Sequence, residues 1–116
     1  MAATTDIKDT TTREALQQIE TWIDDGDYVR ASKGCAALYV EYLRTHPDPE
    51  TPPGGYNPAA FGINRGILWP RTGSINIRRD DAGVPSASYD KERFSLTEAL
   101  TYFEFTMEFL SKHQDA

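Results

Sequence analysis

Residues 15–43 read ALQQIETWIDDGDYVRASKGCAALYVEYL, and their spacing decides the fold. Ala15, Leu16, Ile19, Trp22 and Ile23 recur at i, i+1, i+4, i+7 and i+8, which places them on one face of a helix. Thr11 or Thr12 can cap its start, so a helix is predicted over 12–25. Asp24-Asp25-Gly26 stops it, and Gly26 suits the left-handed position that follows a helix. Asp27 then caps a second helix over 27–45, with a buried stripe of Ala31, Cys35, Leu38, Tyr39, Tyr42 and Leu43. Gly34, Ala36 and Ala37 are small enough to let a neighbouring helix come close. A turn this short joins only an antiparallel pair.

On either side of this hairpin the pattern changes. Residues 1–11 are Thr- and Ala-rich without apolar period and read as a loose tail. Pro47, Pro49, Pro52, Pro53 and Pro58 make 46–65 a Pro/Gly-rich loop. A small antiparallel sheet is predicted over 66–90. Its clearest strand is 74–78, SINIR, where apolar and polar residues alternate strictly. Asp80-Asp81-Ala82-Gly83 is a turn, and residues 84–89 return as a partner strand that Pro85 confines to an edge. Ser95 and Glu98 form a capping box that opens a last helix over 95–112, with Phe94 set to contact Ala99. Its stripe is Leu96, Ala99, Leu100, Phe103, Met107 and Leu110, widened by Tyr102, Phe105 and Phe109. The prediction is therefore one α+β domain, a helical hairpin plus a C-terminal helix packed on a small antiparallel sheet.

The chain of 116 residues carries a net charge of −6, with 39% hydrophobic residues. That charge is unevenly spread: residues 51–79 hold four arginines and no acid, while both flanks are strongly acidic. An acidic whole disfavours nucleic acid, which needs a broad positive footprint. It suits a basic surface on another protein. No apolar run reaches the roughly 18 residues that cross a bilayer, so no membrane partner is expected. The first residues have neither the basic start nor the apolar run of a secretory signal. One cysteine permits no internal disulfide. A cytoplasmic protein is the expectation.

Motifs for chemistry are scarce. Cys35 lies on the apolar stripe of the second helix, where a cysteine acts as a small hydrophobe. His46 and His113 have no partners at metal-ligand spacing. The run Asp24–Asp27 begins like a calcium loop, but the twelfth position, which should be Glu, is Cys35. Residues 26–31, GDYVRA, resemble the inter-helix turn of a tetratricopeptide unit. The proline that should close such a unit falls at Leu43, and no second repeat follows. Arg44 and His46 stand too close together for the motif of the HEPN ribonucleases. No catalytic residue, metal or cofactor is expected.

The best candidate contact surface is the acid-free stretch. Tyr56, Phe61, Arg65, Trp69, Arg71, Arg78 and Arg79 combine the residue types enriched at binding hot spots. Arginine rather than lysine points to geometric recognition of carboxylates or phosphates. The same arginines could instead neutralise neighbouring acids, and Trp69 could instead plug the core. The favoured function is a non-enzymatic protein-binding module of inhibitor, immunity or adaptor type, acting through an acidic surface and the Arg/Trp loop. The alternative is a protein that binds a small anionic ligand or nucleotide through Arg65, Arg71 and Arg78, with Trp69 or Tyr56 stacking on it. A homodimer is conceivable through Tyr102, Phe105 and Phe109 if the sheet leaves them uncovered.

Overall fold

A computed structural model describes residues 3–45, 69–70, 75–79 and 84–112. A short 3-10 turn (Thr4–Asp6) precedes α1 (Thr10–Asp24) and α2 (Tyr28–Thr45). Then come β1 (Ile75–Arg79), β2 (Pro85–Tyr89) and α3 (Leu96–Lys112). Among the described residues this is the α+β arrangement expected, three α-helices on a two-stranded antiparallel sheet.

The α1–α2 turn forms for the reasons its residues imply. Asp27 N donates to Trp22 O at 2.8 Å and Gly26 N to Ile23 O at 3.1 Å, the paired bonds that close a helix through a left-handed residue. Gly26 supplies it, with φ +83°. Asp27 then caps α2, its side chain accepting from Arg30 N at 3.3 Å. Further along α2, a Cβ on Gly34 would sit 3.1 Å from Ile19 Cγ1 and 3.4 Å from Trp22 Cζ3, so glycine is what lets the two helices touch there.

The start of α1 differs from expectation. Asp9, not Thr11 or Thr12, is the cap, and its Oδ2 accepts from Thr12 N at 2.8 Å and Thr12 Oγ1 at 2.7 Å. A carboxylate is the stronger acceptor, and it sits where the helix end is positive. The Thr12 hydroxyl above all, then its backbone N–H, holds the Asp9 carboxyl below its ordinary value of 3.8, and the Arg13 charge acts in the same direction. Nor is the segment before it a loose tail over residues 3–9. Ile7 is fully buried, Thr4 is buried, and Arg13 Nη1 donates to Ile7 O at 3.1 Å. One apolar residue in a polar run has no period to reveal it, yet burying an isoleucine contributes on the order of 2 kcal/mol.

At α3 the capping box closes in both directions, Glu98 N to Ser95 Oγ and Ser95 N to Glu98 Oε1, each at 3.1 Å. Phe94, just before it, is buried. The buried face is turned relative to the predicted stripe. It runs through Ala99, Tyr102, Phe103, Thr106, Met107 and Leu110, and leaves Leu96 and Leu100 exposed. The aromatic rings of Tyr39 and Trp69 pack against Tyr102 and Phe105, which draws that side of the helix inward.

In the sheet, Ile75 pairs with Tyr89, Ile77 with Ala87 and Arg79 with Pro85. Ile75, Ile77 and Pro85 are buried and Ala87 half-buried, while Arg78, Ser86 and Ser88 on the other face are exposed. That alternation is the period of a half-buried strand. Pro85, lacking an N–H, sits at the first position of β2. α2 lies at the centre, against α1, α3 and the sheet.

Candidate functional site

Of the seven residues singled out in sequence, Tyr56, Phe61, Arg65 and Arg71 lie outside the described residues. Arg79 ends β1, and Arg78 is exposed on the solvent side of the sheet. Trp69 is half-buried on the helix side. Its ring stacks on Tyr102 at 5.0 Å and 8°, and lies 5.3 Å from Tyr39 and 5.6 Å from Phe105. Its indole N–H donates to Ile75 O at 3.2 Å. Trp69 and Arg78 therefore stand on opposite sides of β1. The aromatic face of α3 is engaged too, by Tyr39 and Tyr42 of α2 and by Trp69, so it is used inside the fold.

Cys35 is buried at the α2–α3 interface. Burial pushes its thiol up to about 12, since an ionised sulfur has no solvation there; the Thr106 hydroxyl beside it offsets this only in part and makes no hydrogen bond of ordinary geometry. A thiol this hard to ionise is a packing group, not a nucleophile. Ser32 and Thr106 are likewise fully buried, and among the described residues neither hydroxyl has a hydrogen-bond partner of ordinary geometry. Sequence reasoning passed over both because they are polar, although each lies at helical spacing from buried neighbours, Ser32 before Cys35 and Ala36, Thr106 after Tyr102 and Phe103.

The open surface feature lies on the other flank of α2. Lys33, Ala37, Val40 and Arg44 fall at i, i+4, i+7 and i+11, one stripe of the helix. Ala37, Val40 and Arg44 form one side of a groove of about 400 Å³, whose other described lining is Val84–Ala87 and Tyr89. Val84 is 49% and Tyr89 43% exposed, the largest apolar exposures on the sheet. Lys33 Nζ stands 4.8 Å over the Tyr89 ring, close enough for cation–π attraction. Arg44 pairs with Glu41 at 3.4 Å, both side chains about 60% exposed, so that contact is worth little and is easily exchanged. The groove was not foreseen, because its two walls are far apart in the chain and only their packing brings them together.

Among the described residues, no group of three or more His, Cys, Asp or Glu side chains could hold a metal ion. No described helix is long and apolar enough to cross a membrane. The chain matches no protein-family model, no curated protein and no solved structure.

Proposed function

We propose that this protein is a non-enzymatic binding module, of the inhibitor, immunity or adaptor kind, that meets another protein through the sheet side of the molecule and its acidic helices. The observation that carries this reading is the exposure of Val84 and Tyr89 at the lip of an open groove. Large apolar side chains grouped beside a concavity mark contact surfaces, because a partner removes them from water. Arg78 is exposed on the neighbouring strand β1, and arginine and tyrosine are hot-spot residues. Exposed Glu20, Asp24 and Asp25 at the end of α1 offer a second, acidic patch that would steer a basic partner.

The anionic-ligand reading would use Trp69 as a stacking platform. Three aromatic rings already surround it, which disfavours that role. Affinity capture from the cell of origin tests the choice. The wild-type protein is expected to retain a partner that a Val84→Ser/Tyr89→Ser variant of unchanged melting behaviour releases. If neither retains any protein, and nucleotides, phosphates or carboxylates raise the melting midpoint, the ligand reading replaces this one. A ligand at a hundredfold its Kd would stabilise the fold by about 2.7 kcal/mol.

A further inference from the structure

We propose that the α2–β2 groove receives a short extended segment of a partner protein, five or six residues long, apolar in its middle and acidic at both ends. This rests on the binding-module reading and names what the module would hold.

Length is the first argument. From Lys33 to Arg44 the helix advances about 16 Å at 1.5 Å per residue. From Val84 to Tyr89 the strand advances about the same at 3.3 Å per residue. Lys33 sits over Tyr89, the last residue of β2, and Arg44, further along α2, lines the groove with Val84. An extended segment of five or six residues has that same length.

Charge is the second argument. Arg44 lines the groove, Lys33 stands over its Tyr89 wall, and the floor is apolar, of Ala37, Val40, Pro85 and Ala87. Among its described lining residues there is no carboxylate. The acids nearest in sequence are Glu41, in the weak exposed pair with Arg44, and Asp90, which accepts a hydrogen bond from the Asn76 amide. In a chain of net charge −6, a groove whose described lining has Arg44 and no acid, with Lys33 beside it, favours carboxylates near those two cations. Distant acids are screened beyond roughly 8–10 Å at physiological salt. Backbone is the third argument: among the described residues β2 pairs with β1 alone, and a segment added along its other edge would meet strand backbone, apart from Pro85, which has no N–H.

The probe is a library of random heptapeptides displayed on phage, selected in parallel on the wild-type protein, on Lys33→Glu/Arg44→Glu, and on Ala37→Trp, which fills the groove from an exposed position. The wild type is expected to enrich peptides with Asp or Glu four to six positions apart around Val, Ile or Leu. The charge-reversed protein should bind those peptides at least tenfold more weakly and enrich Lys- or Arg-ended ones instead, and Ala37→Trp should bind neither. Backbone NMR shifts caused by the best peptide should centre on Ala37, Val40, Ser86 and Ala87. No enrichment, no acidic bias, or one consensus shared by all three proteins overturns the proposal. If selection fails while a captured partner stays bound to the charge-reversed protein, the groove assignment falls and the binding-module reading stands. If nothing is selected and nothing captured, both fall.

Discussion

Tyr39 and Val40 are neighbours on α2 and lead opposite lives. Tyr39 is fully buried, its ring 4.8 Å from Phe109, 5.3 Å from Trp69 and 5.4 Å from Phe105. Val40, one position on, is half-buried in the floor of the groove. One helix thus has a sealed flank, closed by α3 and Trp69, and an open flank, bordered among the described residues by β2 and Val84. The difference is not in α2 itself, which is apolar on both sides, but in what the rest of the chain brings to each. A stripe of apolar residues says which positions seek cover; it does not say which will find it.

The largest break in this comparison comes from cutting into the sealed flank. Tyr39→Ala is expected to cost about 3–5 kcal/mol, the range for deleting a buried aromatic side chain, whereas Val40→Ala should cost about 1 kcal/mol or less because its site is already part open. Urea titrations of the two variants measure this, and equal losses would erase the distinction between flanks. Next is Gly34→Val, expected to cost about 1–3 kcal/mol by overpacking against Ile19 and Trp22. Gly34→Ala should cost less, since it regains up to about 1 kcal/mol of helix propensity.

Ser95→Ala removes the acceptor of the Glu98 N–H and should cost about 1 kcal/mol, read as a lower thermal midpoint. The smallest effect, and one of opposite sign, is Thr106→Val. Replacing a buried hydroxyl that makes no hydrogen bond of ordinary geometry among the described residues by a methyl of similar shape is expected to be neutral or to stabilise by up to about 1 kcal/mol.

The thiol of the sealed flank sharpens the contrast by pH. Its value is raised from 9.0 to about 12 in the folded state, so the unfolded chain releases its proton first as pH rises. The stability this group contributes is fully present below pH 9 and is lost between 9 and about 12. Iodoacetamide at neutral pH should leave Cys35 unmodified until the protein is unfolded, and rapid native alkylation would show the flank to be open.

What could be read before the structure was local chemistry. The Gly26 turn, the Ser95–Glu98 box and the pairing phase set by Ile75 and Ile77 all depend on residues within a few positions of each other, and each was legible. The missing pieces depend on distant cover. Ile7 is buried by contact with α1, not by any period of its own. Ser32 and Thr106 are polar residues drawn into an apolar interface. Leu96 and Leu100 lose their place because the aromatic rings turn α3. Of the predicted contact residues, Trp69 turned out to lie against the core and Arg78 on the solvent side, while the groove required two walls that no single stretch contains.

The two tryptophans occupy places that report on different events. Trp22 lies where α1 touches α2 at Gly34, a contact between helices adjacent in the chain. Trp69 is stacked on Tyr102 and lies against Tyr39 and β1, so its environment is complete when the last helix and the sheet have docked on α2. Contacts between sequence neighbours form sooner than contacts that must close a long loop. Each indole is therefore a clock set to its own stage, and refolding followed by fluorescence in single-tryptophan versions should resolve an early signal from Trp22 and a later one from Trp69.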